Sequence, residues 1–340
     1  MHAIIYTEFG ESNVLHLVER EVPLPQPNEV LVQLHLSGVN PTDWKSRSGS
    51  SGKPAFPEIV PNQDGAGVIT AVGSAISPER VGERVWVYEA QHNRADGTAQ
   101  EYIAINAKNA VELPESASFE LGASLGVPAI TAHRCLTIGE SGPARLEAGS
   151  MSGQTILVAG GAGAVGHAAI ELARWAGATV IATVSSDQKA QYARSAGAHH
   201  VVNYREDDAA EKIRSIEPGG VDLIVEVSSV TNLDLNTQIL RPSGAIAIYA
   251  SGSEPLSLEI RTMMRLNARL QFVYLYLVDD QAKAAAIADI SDALDAEALH
   301  VGEDYGLPLV YFPLSKTAEA HQSVENHAVG KVLINTIEAH

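Results

Sequence analysis

Four glycines are spaced to do chemistry together. Gly160, Gly161, Gly163 and Gly166 follow the apolar run Thr155 to Ala159 and lead into helical spacing through Val165, Ala169, Leu172 and Ala173. Gly160, Gly163 and Gly166 read as GxxGxxG, and counting from Gly161 the same residues read as GxGxxG. After a buried strand, one such glycine makes the tight turn, another lets backbone N–H groups reach a pyrophosphate, and a third lets the helix lie close to its strand. The intervening Ala162, Ala164 and Val165 offer backbone to the same anion, which would sit at the positive end of the helix. Gly177 then suits a helix C-terminus, and Thr179 to Thr183 begins a second strand. The expected unit is strand, helix, strand, built to bind a dinucleotide.

The whole chain must position that unit. Its 340 residues favour two domains. The formal charge of −18, from 23 basic and 41 acidic side chains, argues against nucleic acid and against an anionic membrane surface as partners. An anionic ligand must be held by local donors against that field. Cys135 is the only cysteine, so no internal disulfide and no four-cysteine zinc site can form, and a reducing cytoplasm is the expected setting. No basic signal-peptide start and no bilayer-length apolar run is read.

Residues 1 to about 124 read as strands and turns with few helical patterns. Glu29 to His35 alternates like a half-buried strand, and Gly65 to Gly73 and Val81 to Val87 read as barrel strands. From 125 to 277 strands and helices alternate. Strands are expected at Thr155–Ala159, Thr179–Val184, His200–Tyr204, Val221–Val227, Ala245–Ala250 and Gln271–Leu277, with helices near Thr131–Leu136, Asp187–Ala196, Asp207–Ile216 and Leu233–Leu240. Six strands are what a doubly wound α/β (Rossmann) domain uses. A long alanine-rich helix is expected at Asp279–Leu299, and from Pro308 to Ile337 a strand–helix–strand ending that folds back on the first domain, which 278–340 would complete.

Taken in order, SGVNPTDW (Ser37–Trp44), NQDGAGVI (Asn62–Ile69), GERV (Gly82–Val85), GVPAITAHR (Gly126–Arg134), the glycine loop and NYRED (Asn203–Asp207) resemble the medium-chain dehydrogenase/reductase superfamily, within it the zinc-free, ζ-crystallin-like quinone oxidoreductases. The resemblance covers nearly the whole chain and implies a β-rich GroES-like domain beside the Rossmann domain. Zinc-dependent relatives carry a ligand cysteine at Asn40 and a ligand histidine at Gln63, and neither amide is a usual zinc ligand. Tyr88–Ala99 is also too short, and lacks the cysteines, for a structural zinc lobe. No metal is expected.

An NAD site usually ends its second strand in an acid that accepts from the ribose 2′-hydroxyl. Here the strand ends in Ser185-Ser186, which leaves room for a 2′-phosphate. In the resembling family a lysine and a tyrosine line that phosphate, and they match Lys189 and Tyr204. NADPH is therefore the expected cofactor, with Asp187 as a possible source of repulsion if it turns inward.

The resemblance also puts the nicotinamide in a cleft between the domains, near Asn40, Thr131, Tyr249-Ala250-Ser251 and Phe272-Val273-Tyr274, and matches Lys331 to a position near the cofactor phosphates. Without a metal to polarise an alkoxide, quinones and α,β-unsaturated carbonyls are the fitting hydride acceptors. Asn40 and Gln63 become candidate catalytic donors to the developing oxyanion, though either could instead bond only within its own turn. Relatives often carry a cleft-lining tyrosine where this chain has Ser50 and Ser51. The quinone reading therefore stands beside an enoyl or enone reductase and a non-catalytic NADPH-binding protein. Homodimerisation is a family expectation, supported by the apolar run Leu270–Val278.

Overall fold

The structure, a computed structural model, describes residues 1–49, 54–140, 142–252 and 254–337. Ser50 and Ser51 lie outside the described residues. Two units divide the chain, Met1–Val127 with Pro308–His340, and Pro128–Leu307.

The first unit contains β1 (His2–Ile5), β2 (His16–Glu19), β3 (Glu29–Val39), α1 (Pro41–Ser48), β4 (Asp64–Val72), β5 (Arg84–Val87), β6 (Tyr102–Asn106) and β7 (Ala110–Glu112). The alternation that marked β3 in the sequence is real: Val30, Val32 and Leu34 point to one core with Ile69, Val85, Val87, Ile103 and Ile105. The helix α2 (Phe119–Leu136) begins in this unit, and the unit boundary falls within it.

The second unit carries β8 (Thr155–Ala159), α3 (Ala164–Trp175), β9 (Thr179–Val184), α4 (Asp187–Ser195), β10 (His200–Asn203), α5 (Ala209–Ile216), β11 (Val221–Glu226), α6 (Ser229–Ile239), β12 (Leu240–Ile248), α7 (Ile260–Leu266), β13 (Arg269–Phe272) and α8 (Asp280–Asp295). Its sheet runs β10-β9-β8-β11-β12-β13 with every pairing parallel. Leu157, Ile181, Val202, Ile224 and Ile246, one from each of five strands, meet in one buried cluster. This is the doubly wound α/β order, in which all strands deliver their carboxyl ends to the same side.

The chain then returns to the first unit as β14 (Leu309–Pro313), α9 (Thr317–Glu325) and β15 (Lys331–Asn335), where β15 pairs antiparallel with β3. The seven-stranded sheet there runs β14-β15-β3-β4-β5-β7, with β6 also on β3.

Three expectations need correction. The return begins at Pro308, where the strand–helix–strand ending was expected, but residues 278–307 do not join the first unit with it, because α8 packs within the second unit: buried Asp289 accepts from Leu146 N–H at 2.6 Å and meets His133 Nε2 at 2.7 Å and the Arg145 guanidinium. The strand expected at Gln271–Leu277 stops at Phe272, and Leu275–Leu277 is a 3-10 turn. The N-terminal region also holds more helix than expected, since α1 was not anticipated and α2 starts at Phe119, not near Thr131.

Candidate active site

In the second unit, the glycine loop is built by close approach. Gly160 turns the chain with φ 69°, and the N–H groups of Gly160 and Gly161 both donate to Thr183 O, at 3.1 and 3.2 Å. A Cβ on Gly161 would stand 2.8 Å from the Ala182 Cβ, and one on Gly166 would stand 2.4 Å from Gly160 O. Gly163 differs: its nearest neighbour would be 3.5 Å away, so the protein leaves room there for a side chain. Gly163 is the N-cap of α3, with no side chain capping the helix and no acid in its first turn. First-turn N–H groups have no partner inside their own helix, so this end is an open cradle for an anion, and a bare Gly163 lets the anion come close. Ala162 is buried just before this end, and Ala164 and Val165 open the helix.

At the end of β9, Ser186 caps α4, its Oγ accepting from Lys189 N–H at 3.4 Å. Tyr204 N–H donates to Val184 O at 3.1 Å, which brings the turn after β10 beside Ser185-Ser186. Tyr204 is half exposed, Lys189 is half-buried and Asp187 is exposed in the first turn of α4. No carboxylate occupies the position an NAD-binding acid would take at 185 or 186.

The ends of β12 and β13 lie side by side. Val273 N–H donates to Ile248 O at 2.8 Å and Tyr249 N–H to Glu226 O at 3.2 Å, so Tyr249, Ala250, Ser251 and Val273 follow neighbouring strand ends. Burial pushes the Tyr249 phenol well above the usual tyrosine range, with Cys135 and Glu226 adding to it. Phe272 and Tyr274 are largely exposed, and Thr131, on α2, is buried.

In the first unit, strand register assembles a second group. Val332 pairs with Val39 and Asp64 pairs with Gly38, so Asn40, Asp64 and Lys331 stand at one end of three adjoining strands. Asn40 is the N-cap of α1, followed by Pro41, and its N–H donates to Asp43 Oδ2 at 2.7 Å. Asn40 Nδ2 donates to Asp64 Oδ2 at 2.6 Å, while Lys331 Nζ donates to Asn40 Oδ1 at 2.8 Å and to Asp64 Oδ2 at 3.5 Å. Val127 N–H donates to the other oxygen of Asp64 at 2.9 Å. Burial raises the Asp43 carboxyl to about 8, and the nearby Asp64 charge adds to the shift, against the opposing pull of the Asn40 N–H and Lys331. Burial likewise raises Asp64 and lowers Lys331.

Two expected site residues are engaged by other side chains. Lys331, expected beside the cofactor phosphates, is 1% exposed, with its ammonium held by Asn40 and Asp64. Gln63 is buried too and is tied to Gln91, accepting from its N–H at 3.1 Å and donating to its Oε1 at 3.3 Å. Asp43 and Asp64 were missed as members of the site. Both sat inside quoted motifs, and the order Asn-Pro-x-Asp, an N-cap with proline next and an acid at the third helical position, was the legible signal for α1 and Asp43. Among the described residues no group of three or more His, Cys, Asp or Glu side chains is arranged to hold a metal ion.

Residues 26–115 match the family described as alcohol dehydrogenase GroES-like domain, and residues 164–291 the family described as zinc-binding dehydrogenase. Quinone oxidoreductase of Rattus norvegicus is 33% identical, with 98% of this chain and 96% of that protein covered. Among solved structures, a mycobacterial quinone oxidoreductase is 28% identical with a TM-score of 0.82, covering 98% of this chain and 99% of that one. Escherichia coli quinone oxidoreductase, solved with NADPH, is 25% identical with a TM-score of 0.79, covering 98% and 100%. The likeness runs through both units in the same order and nearly from end to end, and the chain therefore belongs to the quinone oxidoreductase, ζ-crystallin-like branch of the medium-chain dehydrogenase/reductase superfamily.

Proposed function

We propose that this chain is an NADPH-dependent reductase of quinones or other conjugated carbonyls that works without a metal. The observation that carries the reading is the cradle at the start of α3: a Cβ at Gly161 or Gly166 would strike the protein itself, whereas Gly163 keeps an open place at the uncapped helix end. A dinucleotide pyrophosphate suits the positive end of that helix. Ser185, Ser186, Lys189 and Tyr204 supply hydroxyls and one ammonium around the end of β9, which suits a 2′-phosphate. The solved E. coli relative with NADPH supports the same cofactor.

The bound cofactor supplies a hydride. Main-chain groups at Tyr249–Ser251 and Val273, with Thr131, would hold the carboxamide of its ring and so choose which face is presented. Asn40 would donate to the oxygen on which charge develops, and an acceptor that already delocalises that charge needs no Lewis acid. Gln63 would act through the segment it holds, since both ends of its amide bond to Gln91. The amides of Asn40 and Gln63, where zinc relatives have thiolate and imidazole, support the metal-free reading.

Steady-state oxidation of NADPH with 1,4-benzoquinone, 9,10-phenanthrenequinone and a 2-alkenal tests this. Turnover of a quinone is expected; faster turnover of the alkenal would make the chain an enone reductase, and NADPH binding without turnover of any acceptor would make it a binding protein. Lys189→Ala should weaken NADPH by about 10- to 100-fold, the worth of one charge-assisted bond, and leave NADH nearly unchanged. An equal loss for both coenzymes in a fluorescence titration would remove Lys189 from the phosphate pocket.

A further inference from the structure

Asn40 has both ends of its carboxamide engaged by groups of opposite charge. Lys331 Nζ faces Oδ1 at 2.8 Å and Asp64 Oδ2 faces Nδ2 at 2.6 Å. Turning the amide over would set its NH2 against an ammonium and its oxygen against a carboxylate, so only one of the two flip states is compatible with its neighbours. Two bonds fix the plane and sense of the group, and one N–H is left over in a set direction. All four members of the cluster, Asn40, Asp43, Asp64 and Lys331, are at most 3% exposed, so water does not loosen this arrangement. The backbone also keeps space for it. A Cβ at Gly126 would stand 2.1 Å from Asp64 Oδ1, and one at Gly38 would stand 3.0 Å from Lys331 Cε. An ammonium on the amide oxygen has a further effect: it draws electron density from the nitrogen and makes the remaining N–H a stronger donor.

We infer that Lys331 and Asp64 are positioning residues for the reduction step, which act by fixing and polarising the Asn40 amide, and that Lys331 has no part in holding cofactor. The inference rests on the reading above, in which Asn40 donates to the reacting carbonyl oxygen. Asp43 completes the set from the first turn of α1, holding the Asn40 backbone N–H at 2.7 Å so that the residue is anchored at main chain and side chain alike.

The test is a cycle of Lys331→Met, Asn40→Ala and the double variant, read with NADPH and whichever acceptor the wild type reduces. Lys331→Met should lower kcat about tenfold or more, as loss of a well-aimed donor does, while the KM and fluorescence-titrated Kd for NADPH stay within about twofold. In the Asn40→Ala background the same substitution should cost little more, because the group it serves is gone. Losses that multiply in the double variant, or a raised NADPH Kd with kcat unchanged, would overturn the inference while leaving the functional reading intact. Lys331→Met leaves the buried Asp64 carboxylate without its cation, so the charge-balanced pair Lys331→Met/Asp64→Asn carries the same kinetic test if the single variant does not fold; wild-type kcat in that pair would also overturn it. A wild type that binds NADPH but reduces no acceptor overturns the functional reading, and the inference with it.

Discussion

Burial of two carboxyl groups, Asp43 and Asp64, beside the one Lys331 amine makes Asp43 the residue whose titration the fold should feel. Its carboxyl lies at about 8 in the folded protein against an ordinary 3.8, raised by burial first and by the Asp64 charge second. The folded value is above the unfolded one, so the protonated form favours folding. That contribution is complete below about pH 3.8, shrinks as the pH rises and is lost by the time it has passed about 8. The other groups facing Asp43 are Lys331, lowered by burial, and Tyr6, whose phenol burial pushes to about 12. Asp43→Asn should flatten the decline. Urea midpoints measured from pH 5 to 9 check this, and parallel curves for variant and wild type would contradict it. Gly166→Ala meets the opposite kind of constraint. Alanine improves helix propensity by up to about 1 kcal/mol, but the added Cβ would lie 2.4 Å from Gly160 O, and the backbone there cannot yield without deforming the cradle. The expected outcome is a net destabilisation of about 1–3 kcal/mol with NADPH binding weakened at least tenfold in calorimetry.

Among the elements, β13 carries the clearest prediction. It is the outer strand of the six, and Phe272, Tyr274 and Leu277 along and just beyond it are 64%, 61% and 81% exposed. So apolar an edge invites a second copy. Sedimentation velocity should give a dimer, and Phe272→Lys with Leu277→Lys should shift it to monomer without changing the far-ultraviolet circular dichroism. A monomeric wild type would end the idea. The expected strand at Gln271–Leu277 was too long because an unbroken apolar run does not say where pairing stops; the partner strand β12 ends at Ile248, opposite Phe272, and sets the limit. The nucleotide unit was otherwise legible strand by strand, since parallel strands buried on both faces leave continuous apolar runs and the glycines mark the turn between them. Short α1 was harder to read. Eight residues with mostly polar side chains give little periodicity, and its signal lay in the cap.

On the scale of the molecule, what the sequence could not reveal is what distance along the chain hides. The Gly160–Gly166 loop is local, so its chemistry shows in a few consecutive letters. The group around Asn40 draws Asp64 from 24 residues away and Lys331 from 291, and no window along the sequence contains all three. The same contrast should govern folding. Pulse-labelled hydrogen exchange during refolding should find amides of β8 and β9 protected before those of β3 and β15, because neighbouring strands close small loops and β15 must close a very large one; simultaneous protection would refute this. A nascent chain could therefore own a finished coenzyme grip long before it has a reducing centre. On the proposed function, the electrons it can already hold become usable only when β15 threads back to lay the Lys331 ammonium against the distant Asn40 amide.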